Sequence, residues 1–295
     1  SFDIECTSSC GDFPMAIKNY KRLAQDLCEN ANIICSNEVS IIQILYSIMK
    51  DDYYLDKTHY IHKIHMKNEP TPKQMENFKS KCGTIKAILQ KISNDNLKTQ
   101  KDIQIEEDNI RSILTRELPK LEGDPIIQIG TTFHRYGSDE IIYKHLVNLG
   151  SCDKIEGIDV IVCKTEAKLL KKWKEMMIRM KPDIITGYNI MGFDFKYIYD
   201  RSSELSIKEL FMVNFGKSGR IDASFKVKSL TSSALGEVNT YFYEFEGILV
   251  IDMFVYVKAP TILTLDNYKL DNVCEHILGE KKIDLKPNEI FSKFL

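Results

Sequence analysis

Two carboxylates, Asp3 and Glu5, stand two positions apart near the start of the chain, in a run that alternates with apolar residues. Side chains two positions apart on a β-strand point to the same face, so a strand here would place both carboxylates side by side. Like charges held that close repel each other unless a cation lies between them, and Mg²⁺ and Mn²⁺ prefer such oxygen ligands. A D-x-E pair is also common on solvated strands, so the pair alone leaves both interpretations open.

A third candidate carboxylate, Asp194, ends the glycine-containing segment 187–194. The apolar residues before this segment predict a buried strand at 182–188, and those after it predict a helix that starts near Phe193. The point where a strand passes into a helix is where α/β folds place their sites. Taken in isolation, an aspartate at a helix start is more readily a helix cap than a metal ligand.

Together these segments resemble two exonuclease motifs of the family B DNA polymerases. The opening residues 1–5 are similar to the first motif, the D-I-E carboxylate pair, and 187–194 looks like the second motif, N-x-x-x-F-D. The flanking segments 123–129, 251–253, 268–270 and 276–280 resemble delta-like enzymes in the same order. The resemblance covers residues 1–14 and 122–295.

The resemblance implies a 3′→5′ proofreading exonuclease that hydrolyses 3′-terminal nucleotides of DNA with two Mg²⁺ or Mn²⁺ ions. Asp3 would bridge both ions, Glu5 would help to hold the water-activating ion, and Asp194 would serve the second. Asn189 and Phe193 would line the DNA strand, although for Phe193 the anchoring of its helix is an equal alternative. The implied partners are a single-stranded or frayed 3′ end of DNA, the remaining polymerase domains of a parent chain and a processivity factor.

Two features depart from the family pattern. Residues 15–121 form an insertion that cellular delta enzymes lack and that is more similar to the elaborated polymerases of large DNA viruses. The third exonuclease motif, Y-x-x-x-D, has no counterpart, because the run Tyr268-Lys269-Leu270-Asp271 is one residue short, and the polymerase motifs are absent too. We therefore expect the third motif to lie beyond Leu295 and the chain to be nearly inactive alone.

A degenerate exonuclease domain that acts as a scaffold or as a DNA-binding module is the alternative. The presence or absence of the carboxylates distinguishes the two alternatives, because a decayed site usually loses acidic groups that are costly to hold together. Asp3, Glu5 and Asp194 are all present, as is Asn189. The sequence therefore favours a working exonuclease site over a degenerate one.

The elements that must position these residues predict an α/β fold with a helical insertion after the first strand. The resemblance implies the ribonuclease-H-like type, a mixed sheet flanked by helices. The predicted organisation is a first strand within 1–14, the helical insertion at 15–121 and the rest of the exonuclease domain at 122–295. Further strands are predicted at 126–133, 141–143 and 158–162, a helix at 165–180 and a hairpin at 237–246.

Composition narrows the classes of partner. The formal net charge is only −2, so any DNA contact must be local rather than driven by bulk positive charge. The eight cysteines include no C-x-x-C pair, which indicates reduced thiols. No apolar run is long enough to cross a bilayer, so we expect no membrane partner. Reduced thiols predict an intracellular setting, and the resemblance implies either the nucleus or a cytoplasmic viral replication site.

Overall fold

A computed structural model describes residues 1–8, 13–36, 40–49, 61, 64, 66, 68–94, 99–138, 140–232, 236–259, 262–280 and 289. The chain divides into two compact units, one made of Ser1–Ala16 with Gly123–Leu295, the other of Ile17–Glu122. Within the described part of the chain, no helix combines the length and apolar character that a membrane span requires.

The elements in chain order are β1 (Phe2–Cys6), α1 (Lys21–Glu29), α2 (Ala31–Ser36), α3 (Ile41–Met49), α4 (Pro72–Ser93), α5 (Gln100–Glu117), β2 (Ile126–His134), β3 (Ile141–Leu149), β4 (Asp159–Cys163), α6 (Glu166–Met180), β5 (Ile184–Gly187), α7 (Asp194–Glu204), α8 (Lys208–Met212), β6 (Ser224–Ser232), β7 (Gly236–Glu244), β8 (Leu249–Asp252), α9 (Met253–Val257) and α10 (Leu270–Leu278).

The first unit is built on a mixed four-stranded sheet in the order β1-β2-β3-β4. The first two pairings are antiparallel and the third, between β3 and β4, is parallel. Apolar side chains of the sheet and of α6 and α7 form its core, in which the rings of Phe2 and Trp173 lie 5.1 Å apart. The Trp173 indole donates to Thr131 Oγ1 at 3.1 Å, so its one polar group is satisfied in the core. The predicted mixed α/β architecture is confirmed.

Most predicted strands and helices lie within one or two residues of the observed ones, but β3 is much longer than expected. The prediction stopped at residue 143, whereas the strand continues to Leu149. His145, Leu146 and Val147 are all buried in its second half. Hydrophobic patterning scores a histidine as exposed, and this buried ionisable residue hid the continuation of the strand.

Two further strand pairs complete the first unit. β5 and β8 pair in parallel, which sets Gly187 opposite Asp252. β6 and β7 form an antiparallel hairpin that runs from Ser224 to Glu244. The sequence predicted a hairpin within 237–246, which is only the returning arm and the turn after it, because the outgoing arm is rich in lysine and serine.

The described residues of the second unit are helical, and helices α1 to α5 share a separate apolar core. Its longest helix, α4, begins at a capping box: Thr71 Oγ1 accepts from the Gln74 amide while the Gln74 side chain accepts from the Thr71 amide. Phe78, Ile85 and Leu89 are completely buried on one stripe of α4. The helix therefore has both a defined start and a buried face.

Candidate active site

The two carboxylates of β1 share a face, as their spacing predicts. Phe2, Ile4 and Cys6 are buried, whereas Asp3 is exposed and Glu5 is half-buried. The alternation places Asp3 and Glu5 on the side of the strand opposite the core. The strand itself is held by antiparallel pairing with β2, which sets Asp3 opposite Gly130 and Glu5 opposite Gln128.

Asp194 reaches the same strand from the first turn of α7. The Ile4 amide lies between two carboxylates, with its nitrogen 3.1 Å from Asp3 Oδ1 and 3.2 Å from Asp194 Oδ1. The Asp3 and Asp194 carboxyl groups also lie close enough to interact with each other. The fold therefore joins two acidic groups that are 190 residues apart in sequence.

The isolated interpretation of Asp194 as a helix cap is wrong. The N-cap position of α7 is Phe193, and no side chain caps this helix start. The Asp194 carboxylate instead accepts from the Ile4 amide and from its own amide. Its side chain is thus directed to β1, and the helix gains only the favourable placement of a negative group in its first turn.

Burial, and after it the nearby charge of Asp3, raises the pKa of Asp194 to about 8. The Ile4 amide opposes this shift because it donates to the ionised form. Only 3% of Asp194 is exposed, and the structure shows no salt bridge to it within the described residues. Such a group holds either a proton or a cation at neutral pH.

The loop between β5 and α7 has a backbone that few residues tolerate. Asn189 adopts a left-handed conformation with φ +64°, which asparagine enters more readily than most residues. Its carbonyl accepts from the amides of Gly192 and Phe193, both at 3.0 Å. A Cβ atom on Gly192 would overlap the Asn189 side chain, and one on Gly187 would lie 2.8 Å from the Phe2 carbonyl oxygen. Gly187 is therefore required by the close approach of backbone, and a side chain at position 192 would displace the Asn189 side chain.

The family model for the exonuclease domain of family B DNA polymerases matches residues 102–273. The match covers more than half of the chain and includes the whole loop that leads to Asp194. The chain belongs to this family. The predicted resemblance is thereby confirmed.

Viral and cellular DNA polymerases are similar to this chain. A DNA polymerase of Pyramimonas orientalis virus is 38% identical over 308 residues, which cover 95% of the chain and 25% of that protein. A DNA polymerase of Phaeocystis pouchetii virus is 28% identical over 377 residues, covering 100% of the chain and 35% of that protein. The DNA polymerase delta catalytic subunit of Dictyostelium discoideum is 35% identical over 170 residues, covering 57% of the chain and 15% of that protein.

The chain thus spans between about a sixth and a third of the length of these relatives. Because 95% of it aligns with the Pyramimonas virus polymerase, most of residues 17–122 must lie within that alignment. The delta subunit matches only 57% of the chain, so a large part of the chain has no counterpart in that alignment.

The two residues predicted to line the DNA strand lie on the loop between β5 and α7 and at the start of α7. Asn189 and Phe193 are both half-buried. The Phe193 ring lies 5.7 Å from that of Phe13 and 5.3 Å from that of Tyr197, measured between centroids. These contacts fit the anchoring interpretation of Phe193, and its remaining exposure leaves the ring accessible to a ligand.

Asp252 is a contributor that the sequence prediction noted only as part of a flanking segment. This side chain is 4% exposed and lies at the end of β8, opposite the loop. Its carboxylate accepts from the amides of Asn189 and Met191, both at 2.8 Å. A lone aspartate that ends the apolar run of β8 was the available signal, because buried carboxylates are rare unless they are hydrogen-bonded.

The carboxylates fit a hard divalent ion as a donor set, but only two of them are shown in contact. Asp3 and Asp194 present acidic oxygens at one point, and burial together with the charge of Asp3 raises the pKa of Asp194. Among the described residues, no group of three or more acidic, histidine or cysteine side chains is already arranged to hold a metal. Glu5 lies on the same face of β1 as Asp3.

Proposed function

We propose that this chain is the 3′→5′ proofreading exonuclease module of a DNA-directed DNA polymerase and removes 3′-terminal nucleotides from DNA. The observation that carries the proposal is the contact of the Asp3 and Asp194 carboxyl groups at the Ile4 amide, in a chain of the family B exonuclease domain. The named relatives are DNA polymerases, which supports a role beside a polymerase active site. We include a processivity factor and an intracellular setting in the proposal as what that role implies.

Asp3, Glu5 and Asp194 are the groups that would hold the metal ions. The chemistry that two bound Mg²⁺ or Mn²⁺ ions supply in such sites is the activation of a water molecule and the stabilisation of the leaving 3′ oxygen. Asp194 is buried and held by the Ile4 amide, so it presents a fixed oxygen to a cation. The exposed Asp3 faces solvent on the same strand, where a DNA end can approach.

Stacking and backbone contacts would hold the DNA strand, because a proofreading site must accept any terminal base. Phe193 has a partly exposed ring at the start of α7, and the Asn189 side chain lies over Gly192 on the same loop. Both side chains lie on the segment that leads directly to Asp194. We propose that Phe193 stacks on a base and that Asn189 contacts the sugar-phosphate backbone.

The fold is part of the proposal. A mixed sheet with β1 and β2 antiparallel and β3 and β4 parallel, covered by α6 and α7, agrees with a ribonuclease-H-like exonuclease core. We further propose that the helical unit Ile17–Glu122 is an insertion between β1 and the rest of that core.

A 3′-exonuclease assay on an end-labelled single-stranded oligonucleotide tests the function. The sequence contains no Y-x-x-x-D spacing after Asp194, so we expect the 295-residue chain to degrade DNA far more slowly than a full-length family B polymerase. A longer form of the chain that supplies this motif should be active with Mg²⁺ or Mn²⁺. The same form with Asp3→Ala and Glu5→Ala should lose the activity by orders of magnitude. An inert longer form would contradict the exonuclease assignment and favour a scaffold or DNA-binding role.

A further inference from the structure

The loop between β5 and α7 lies within the segment 187–194, which resembles the second exonuclease motif. The carboxylate of Asp252, a residue outside this segment, holds the loop. Asp252 Oδ1 accepts from the Asn189 amide at 2.8 Å, and Asp252 Oδ2 accepts from the Met191 amide at 2.8 Å. Oδ1 also accepts from the Phe254 amide at 2.9 Å. One buried carboxylate therefore receives three backbone hydrogen bonds from two segments.

The loop needs such a partner because its backbone is unfavourable without one. Asn189 has φ +64°, and a non-glycine residue in the left-handed region persists only where its surroundings hold it. The amides of Asn189 and Met191 face the interior, where an unpaired N–H group is costly. Asp252 satisfies both amides and thereby fixes the left-handed turn.

The left-handed turn at Asn189 determines where α7 begins. The Asn189 carbonyl accepts from the amides of Gly192 and Phe193, and the Ile190 carbonyl accepts from the Phe195 amide at 3.0 Å. These bonds place Asp194 as the first residue of α7, where its carboxylate meets the Ile4 amide. A continuous set of hydrogen bonds therefore connects Asp252 to the position of Asp194.

We infer that Asp252 is a positioning residue of the candidate site: it locks the loop that delivers Asp194 to Asp3 and orients Asn189. Asp252 has no contact with the Asp3 carboxylate in the described structure and holds no metal in this inference. The inference rests on the proposed function for its consequence, because the delivered groups matter only if they bind a metal ion. The lock itself is a property of the loop and can be measured separately.

Two substitutions separate the lock from the folding of α9. Asp252→Asn keeps an acceptor for the Asn189 and Phe254 amides but places an NH₂ group against the Met191 N–H, two donors facing each other. Asp252→Ser keeps a cap for the Phe254 amide at the start of α9 but is too short for both loop amides. Asp124→Asn is the matched control, a buried aspartate whose Oδ2 accepts from the Met15 amide at 2.9 Å.

Amide hydrogen exchange and Mn²⁺ titration of the 295-residue chain form the test. We expect Asp252→Asn to accelerate exchange chiefly at Met191, and Asp252→Ser to accelerate it at both Asn189 and Met191, with the β2 amides unchanged. Both variants should bind Mn²⁺ about 10- to 100-fold more weakly, the usual effect of removing a group that orients metal ligands. Asp124→Asn should alter neither the loop exchange nor the Mn²⁺ affinity.

The two readouts distinguish the possible failures. Unchanged exchange at Met191 in both Asp252 variants would overturn the lock. Faster exchange with undiminished Mn²⁺ affinity would show a lock that does not position the site, which overturns the inference as stated. If Asp3→Ala leaves Mn²⁺ binding of the wild-type chain unchanged, the proposed metal site fails instead, and exchange at the loop still decides whether Asp252 holds it.

Discussion

Glu166 and Asp194 occupy equivalent places in the fold but have opposite electrostatic partners. Each is the first residue of a helix, each is almost completely buried, and each accepts a backbone N–H from a strand of the main sheet. Glu166 is paired with the Arg201 guanidinium, through contacts of 2.6 and 2.9 Å. Asp194 is instead in contact with a second carboxyl group, that of Asp3.

The difference separates a structural carboxylate from one that is prepared for a ligand. A buried carboxylate with a bidentate arginine has its charge balanced inside the protein. A buried carboxylate beside another acid keeps an unmet demand for positive charge, which either a proton or an added cation satisfies. The same placement at a helix start thus gives a balanced charge in one case and an unbalanced one in the other, and only the second suits the ligand-binding role proposed for Asp194.

The largest loss of stability should come from replacing Arg201, the cation that is paired with Glu166. Arg201→Met should lower the free energy of unfolding by about 3–5 kcal/mol, because it leaves Glu166 and Glu204 buried without their counter-charge. Urea denaturation measures the change. Arg179→Met removes an exposed contact to Asp159 of 4.0 Å and should cost less than about 1 kcal/mol. Equal losses in the two variants would contradict the structural role assigned to Arg201.

The same acid-to-amide change should have opposite signs at the two helix starts. Asp194→Asn keeps an acceptor for the Ile4 amide and removes the unbalanced acid, so in EDTA it should raise the free energy of unfolding by about 1–3 kcal/mol. Glu166→Gln should lower it, because Arg201 then loses its charged partner. Urea titrations of both variants at pH 7 measure the two effects.

With Mn²⁺ added in place of EDTA, the wild-type chain should become more stable than Asp194→Asn. The wild-type chain should gain about 2.7 kcal/mol at a concentration 100 times its dissociation constant, whereas Asp194→Asn should gain much less. If Asp194→Asn instead lost as much stability in EDTA as Glu166→Gln does, the two carboxylates would respond alike. The difference between them would then be contradicted.

The sequence predicted the components of the site better than their supports. The alternation around Asp3 and Glu5 indicated a shared strand face, and the apolar runs on either side of 187–194 located Asp194 at a strand-to-helix passage. Asp252 and Arg201 escaped prediction, because their roles depend on partners 61 to 63 and 35 residues away, respectively. Local patterns report periodicity and caps, whereas a buried carboxylate is explained only by the groups that the fold brings to it.

His145 shows a third way in which this fold accommodates a buried ionisable group, which is to keep it neutral. It is 2% exposed, and both ring nitrogens lack a hydrogen-bond partner among the described residues. Burial lowers the pKa of His145, and Arg179 acts in the same direction, while Asp159 opposes them. The neighbouring Tyr143 ring lies 5.9 Å away and offers contact without a hydrogen bond.

The smallest of the expected effects is therefore a pH dependence. The unfolded chain takes up a proton at His145 near pH 6.5, whereas the folded chain does so only at lower pH, so stability should fall as the pH drops below about 6.5. His145→Leu should flatten this part of the profile of urea midpoints between pH 7.5 and 5.5. His134→Leu, at an exposed histidine of the neighbouring strand, is the matched control. If both variants kept the wild-type slope, groups other than His145 would cause the acid sensitivity. Burial in the neutral form would then not distinguish His145 from the paired Glu166.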